Sequence, residues 1–360
     1  MPSHEDASQF ISAEPSPSSL SAADVVLEGG GMRGIAHAGA LSVAEARGYR
    51  WQHCAGTSAG ALVAALLAAG YSAAELRSLL THLDFARFAQ DRGWRGWRGA
   101  QLARLFLTGG LHTGAYLEDF LRLHLRAKGK RTFGDLICPG REHEPAHSPW
   151  RYRLVVIAAD ITNGRMLRLP QDMLAYGQPP DELDIALAVR MSASIPFFYQ
   201  PVLRRDQHGR LYRVVDGGLL SNFPIGIFDV AGAPTCPTFG LRLVDEPSTP
   251  AGNTSPPARE NLWQFSQELL NTMLTAHDRL YLDDHAYVRT IAIPVKGISG
   301  TQFDLSRAQI EQLYRSGENA AEDFFATWNF PAYVAAYRSS GLSGSGHQQR
   351  LHLDMRGSPS

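Results

Sequence analysis

The chain has 360 residues, 44% of them hydrophobic, and its 34 lysines and arginines almost balance 35 acidic residues. That length can bury one large core or two smaller ones, and near-neutrality excludes bulk attraction to nucleic acid. Three scattered cysteines, Cys54, Cys138 and Cys236, contain no C-x-x-C pair, which argues against a disulfide framework and fits a reducing, cytoplasmic compartment.

Met1 to Ala22 is acidic and serine-rich and has no apolar core. It reads as a flexible leader, neither a secretory signal nor an anchor. Val25 to Glu28 is a short strand that runs into Gly29-Gly30-Gly31-Met32-Arg33-Gly34, and Ile35 to Arg47 reads as a helix closed by Gly48. The loop matches G-x-G-x-x-G. A dinucleotide site would need an acidic residue about 20 positions on, at the end of the next strand. That strand, Trp51 to Ala55, runs instead into Gly56-Thr57-Ser58-Ala59-Gly60. The loop fits better as a cradle of backbone N–H groups for an oxyanion, with Arg33 either adding positive charge or serving only as an ion-pair residue.

Gly56-Thr57-Ser58-Ala59-Gly60 reads G-x-S-x-G between a strand and the apolar run Ala59 to Ala69. A serine on such a strand-to-helix turn is a nucleophile elbow, and the helix N-terminus behind it favours negative charge. Ser72 and Glu75 form a capping box that opens a helix toward Leu83. Arg87 to Arg104 interleaves Arg87, Arg92, Arg95, Arg98 and Arg104 with Phe88, Trp94 and Trp97. The segment suits either a membrane surface and lid or a surface loop whose tryptophans cover the core.

Gly114 to Lys128 is an amphipathic helix with Leu117, Phe120, Leu121, His124 and Leu125 on one stripe, and Tyr152 to Ala159 is a continuous apolar strand. Asp181 to Met191 is expected to be helical. Leu211 to Val215 is a strand that delivers Asp216 to the turn Gly217-Gly218, and Pro224 suits the first turn of a further helix. Thr238 to Val244 is another strand, Pro247 to Pro257 a loop, Glu260 to His285 a long helix, and Tyr287 to Ile293 a last strand. Ser306 and Gln309 open a final helix to about Trp328, and Ser339 to Ser360 is too polar to pack. Alternating strands and helices imply a three-layer α/β/α sandwich around a mostly parallel sheet. The expected organisation is a flexible segment 1–22, a catalytic domain 23–330 and a tail 331–360. No metal motif is present, and no cofactor is expected.

Three segments in this order, G-G-G-x-R-G, G-T-S-A-G and D-G-G, resemble the patatin-like phospholipases. Met191-Ser192-Ala193-Ser194-Ile195-Pro196 and Asn222-Phe223-Pro224 are similar to the family's flanking segments, and the resemblance spans about Val25 to Phe325. It implies a serine lipid acyl hydrolase with Ser58 as nucleophile, Asp216 as its dyad partner and Gly29 to Gly34 around the oxyanion. It also implies lipid acyl ester substrates, and with the basic, aromatic segment Arg87 to Arg104 it makes peripheral contact with a membrane the expectation. Glu28 departs from the aspartate that many members carry before the glycines. Two alternatives stand beside this reading. One is a Ser–His–Asp esterase that uses His277 or His285, in the chain order Ser, Asp, His. The other is a regulatory nucleotide- or protein-binding module of the same fold.

Overall fold

A computed structural model describes residues 21–83, 87–88, 108–245, 284–300, 302 and 304–338. The first unit runs from strand β1 (Ser21–Leu27) through a 3-10 turn, Gly31–Gly34, into helix α1 (Ile35–Ala46) and then β2 (Tyr49–Thr57). Helix α2 (Ala59–Ala68) follows after a single residue, and α3 (Ala73–His82) carries the expected capping box of Ser72 and Glu75. After the short strand β3 (Gly110–His112), α4 (Ala115–Ala127) buries Leu117, Leu121 and Leu125 of its predicted stripe. Strand β4 (Leu154–Asp160) is wholly buried, and β5 (Arg165–Leu169) folds back on it as a hairpin.

The expected helix over Asp181 to Met191 is instead a 3-10 turn, Pro180–Glu182, followed by α5 (Ile185–Ser192). Asp184 accepts from the Leu187 N–H and starts that helix, an N-cap that interrupts the longer run. Three short strands come next: β6 (Phe197–Tyr199), β7 (Val202–Arg205) and β8 (Leu211–Asp216). Pro224 begins only a 3-10 turn, Ile225–Phe228. The chain then forms β9 (Thr238–Val244), α6 (Asp284–Val288), β10 (Thr290–Pro294), α7 (Arg307–Thr327) and α8 (Phe330–Tyr337). Most of the expected helix Glu260 to His285 lies outside the described residues, as does the loop Pro247 to Pro257. Helix α8 crosses the boundary drawn at 331: Asn329 caps it, and its last turn is tied down by Arg338 bonding to Asp229.

The sheet has eight strands in the order β10-β9-β1-β2-β4-β8-β7, with β5 also on β4. Strands β10, β9, β1, β2 and β4 are parallel, and β5, β8 and β7 add antiparallel ladders at one side. Alternate residues feed two cores. Val25, Leu27, Cys54, Leu154 and Val156 pack under α1, α2, α5 and α7. Val26, Ala55, Val155 and Ile157 pack against Phe223, Ile225, Phe228, Trp150 and Ala286 on the other face. This period-2 division is what a sheet buried on both faces requires.

One feature of the sheet positions the site. Thr57 of β2 pairs with Ile157 of β4, and the next residue, Ala158, pairs with Asp216 of β8. Both Ile157 and Ala158 have β5 on their opposite edge, so β2 and β8 share one edge of β4. They run in opposite directions and meet end to end.

Candidate active site

At that meeting point β2 stops and the chain turns sharply. Ser58 sits at φ 54, ψ −121, between the last residue of β2 and the first of α2. A positive φ on a side-chain-bearing residue is sterically costly, and it persists only where the surroundings hold it. The two glycines of the elbow explain how. A Cβ on Gly56 would lie 2.5 Å from the Gly60 carbonyl carbon, and one on Gly60 would lie 2.3 Å from the Leu27 carbonyl oxygen. The start of α2 is thus pressed onto β2 and β1 at backbone distance. Leu62 N–H closes the first helical turn onto the Ser58 carbonyl, and Ala59 and Gly60 lie at its positive end.

The Ser58 hydroxyl donates to Asp216 Oδ2 at 2.7 Å. Asp216 Oδ1 accepts from the Gly218 N–H at 2.8 Å, and the Asp216 N–H donates to the Ser194 carbonyl at 2.9 Å. Gly217 brings the turn directly over β4, where a Cβ would stand 2.3 Å from the Ile157 carbonyl oxygen. Both side chains are buried, Ser58 at 6% exposure and Asp216 at 3%. Burial pushes the Asp216 carboxyl up to about 6, against the opposing pull of its bonds from Ser58 and Gly218. That brings it nearer the basicity a proton acceptor needs at neutral pH.

Ser192 is the residue that sequence reasoning left without a role. Its hydroxyl accepts the Ser58 backbone N–H at 2.8 Å and donates to the Ile157 carbonyl at 2.5 Å. Ile157 and Ala158 are the adjacent residues of β4 that pair with the two meeting strands. Ser192 therefore clasps the elbow to the strand that sets the Ser58–Asp216 spacing. Its signal was the Met191 to Pro196 segment, but a hydroxyl on a buried helix face carries no role in sequence. Arg190, also buried, donates to Ser194 and to the Thr113 and Gln200 carbonyls, which steadies the residue whose carbonyl holds Asp216.

The glycine loop narrows the expected oxyanion set. The Gly29 N–H is bonded to the Asn222 carbonyl, Met32 N–H to the Gly300 carbonyl and Arg33 N–H to the Gly30 carbonyl. No described acceptor meets the N–H groups of Gly30 and Gly31, so within the loop these two are candidate oxyanion donors. Gly34 opens α1 and backs onto Ala59. Gly31 has φ +56, and a Cβ there would be 2.0 Å from the Gly300 carbonyl oxygen. Arg33 does not reach the serine. Its Nε donates to the Gly30 carbonyl and its Nη1 pairs with Asp245 at 3.0 Å, so it braces the loop.

Glu28 is buried, and its Oε2 accepts the Leu243 N–H. Its carbonyl receives Nε2–H of His37, a fully buried ring whose pKa burial lowers to about 4. Asn222 bonds reciprocally with Gly29, so the segment after Asp216 is stitched to the loop.

Beside Ser58 a pocket of about 630 Å3, counting the part open to solvent, is bounded by Gly31, Leu62, Val63, Leu117, Ile195 and Tyr199. Its walls are apolar, and it suits a hydrocarbon chain. Leu83 and Phe88 also border it, but Arg92 to Arg104 lies outside the described residues. Within that stretch's flank, Arg87 stacks on Tyr116, and the Phe88 carbonyl accepts from Tyr199.

Of the two histidines that a triad would use, His277 lies outside the described residues. His285 sits on α6, which leads into the N-terminal end of β10, the edge of the sheet opposite Ser58. It faces Asp229 at 3.7 Å. Among the described residues no group of three His, Cys, Asp or Glu side chains is placed to hold a metal ion.

The model of the family described as patatin-like phospholipase matches residues 25–229. A Bacillus subtilis protein, YqhO, is 35% identical over 309 residues, which cover 85% of this chain and 99% of that one. A protein of Invertebrate iridescent virus 6 named "probable lipid hydrolase 463L" is 28% identical over 207 residues, 56% of this chain and 62% of its own. Among solved structures, VipD from Legionella pneumophila aligns with a TM-score of 0.51 at 18% identity, covering 86% of this chain and 67% of that chain, a likeness of fold.

Proposed function

This chain belongs to the patatin-like phospholipase family and is an ester-hydrolysing enzyme, and from that premise we propose that it cleaves acyl esters of lipids with a Ser58–Asp216 dyad. Ser58 Oγ attacks the ester carbonyl while its proton passes to Asp216 Oδ2. The carbonyl oxygen, now negative, lies against the Gly30 and Gly31 N–H groups and the positive end of α2. Collapse of the tetrahedral adduct breaks the ester C–O bond, and the proton on Asp216 goes to the departing alcohol. A water then gives its proton to Asp216 and attacks the acyl-enzyme; collapse of that adduct breaks the bond to Ser58 Oγ and releases the fatty acid, while Asp216 returns the proton to Ser58.

The observation that carries this reading is the 2.7 Å bond from Ser58 to a buried aspartate raised to about 6. The apolar pocket beside it supports a fatty acyl chain as the group transferred, as in phospholipase A, lysophospholipase or carboxylesterase chemistry. The decisive test is a fluorophosphonate probe with mapping of the labelled residue. Ser58 should be labelled in the wild type, and Ser58→Ala should lose both labelling and turnover of an aryl ester while keeping its melting profile. Labelling at another serine, or turnover retained in the variant, refutes the assignment.

A further inference from the structure

We propose that the exposed face of the β5, β8 and β7 ladders is a docking surface for an anionic lipid bilayer. The inference rests on the reading above that the substrate is a lipid.

Register places the residues on one face. Leu203 of β7 lies opposite Arg213 of β8, and Arg205 lies opposite Leu211. Met166 of β5 is opposite Ala159, which is opposite Val215, two residues from Arg213. Directly opposed residues share a face, and so do residues two apart. Arg168, Met166, Arg213, Leu211, Leu203 and Arg205 therefore project to the same side. All six are exposed, Leu203 at 55%, Leu211 at 41% and Met166 at 38%. The other side of these strands, with Leu167, Leu169, Tyr212 and Val214, is buried.

The chemistry of the face is selective. Three large apolar side chains alternate with three guanidinium groups. Arg168 pairs with Asp172, while among the described residues no carboxylate pairs with Arg205 or Arg213. Apolar side chains with unneutralised arginines between them suit the headgroup layer of an anionic bilayer, where both are satisfied together. Docking of a second strand onto the β7 edge is opposed by the charges of Arg204 and Arg205.

Position adds the third argument. The ladders stand where β4 continues past the C-terminal end of β2, the end at which β2 delivers Ser58. Arg213 is three residues from Asp216 on β8, about 10 Å along the strand, and its side chain projects to the opposite face. A bilayer resting on this face lies at the Ser58 end of β2, on the side of the sheet opposite the pocket.

The test is co-sedimentation of the full chain, in a Ser58→Ala background so that vesicles are not consumed. Vesicles of phosphatidylcholine alone are compared with phosphatidylcholine and phosphatidylglycerol at about 3:1. Each basic residue near such a surface is worth about a fivefold factor in partitioning, so Arg205→Glu with Arg213→Glu should weaken binding to the anionic vesicles at least tenfold. Added salt should shrink that difference. Leu203→Ser with Leu211→Ser should weaken the binding that survives in salt. Both pairs, placed in the active chain, should hydrolyse a soluble short-chain ester within twofold of wild type.

The proposal is overturned if the starting protein ignores anionic vesicles or if charge reversal leaves binding unchanged. It is also overturned if the pairs alter self-association by gel filtration in place of vesicle binding. A protein that turns over the soluble ester but binds no vesicle keeps the dyad and loses the docking face. If Ser58→Ala retains ester turnover while vesicle binding follows the arginines, the dyad falls and the docking face stands.

Discussion

Replacing Asp216 with asparagine should abolish activity and, above neutral pH, make the protein more stable. The Asp216 carboxyl is 3% exposed, and burial raises it from 3.8 to about 6. A carboxyl raised in the folded state binds its proton more tightly there than in the unfolded chain. The folded state therefore loses stability as pH climbs from about 4 through about 6, and it carries the full cost above that. The displacement corresponds to roughly 3 kcal/mol by the usual conversion. Asp216→Asn removes the charge but keeps an oxygen for the Gly218 N–H and an amide to donate to Ser58. The gain at pH 8 should be about 1–3 kcal/mol, reduced by whatever geometry the amide fails to match. At pH 4 the two proteins should be nearly equal. Urea titrations of wild type and variant from pH 4 to pH 8 would read this difference, provided unfolding is reversible. Kinetics give the second arm: wild-type kcat/KM should fall about tenfold per pH step below about 6, and the variant should lose orders of magnitude at every pH. Equal stability of the two proteins across the whole range refutes the raised carboxyl. Wild-type activity that stays flat down to pH 4.5 refutes Asp216 as the base.

Two further outcomes follow from the same geometry. Ser192→Ala leaves the Ser58 N–H buried without its acceptor, which costs about 1–3 kcal/mol; kcat and the rate of fluorophosphonate labelling should drop on the order of tenfold with KM little changed, and an unaltered labelling rate would show that the clasp does not position the nucleophile. Gly31→Ala places a Cβ at 2.0 Å from the Gly300 carbonyl, so the loop must shift and withdraw a donor worth on the order of 3 kcal/mol; aryl ester turnover should fall at least a hundredfold, and micromolar NADH binding that this variant abolishes would favour a dinucleotide site.

Much of the site was legible in the chain itself, because each key residue is bound to a local backbone event. The elbow around Ser58 needs small residues at Gly56 and Gly60, where helix and strands touch through backbone atoms. The loop at Gly31 needs a positive φ. The capping boxes of Ser72 and Ser306 close within four residues, so their helices start where the sequence places them. These are short-range constraints, and they leave a mark in sequence. Apolar strands buried on both faces are equally visible, as β4 shows.

What required tertiary structure was every relation between distant segments. Strands β5 and β7 mix arginine with apolar residues and have no run long enough to announce a strand; they exist because β4 and β8 offer edges to pair with. Within the loop, Gly30 and Gly31 remain the candidate oxyanion donors because Asn222 and Gly300, far along the chain, occupy neighbouring N–H groups. Arg33 turned out to be a brace because Asp245 folds next to it. Ser58 and Asp216 are 158 residues apart, and their contact depends on two strands that meet end to end along β4. Motifs in sequence name the groups that can react. The sheet register decides that they stand 2.7 Å apart, and burial by the surrounding layers, which no local pattern encodes, raises the carboxyl to about 6.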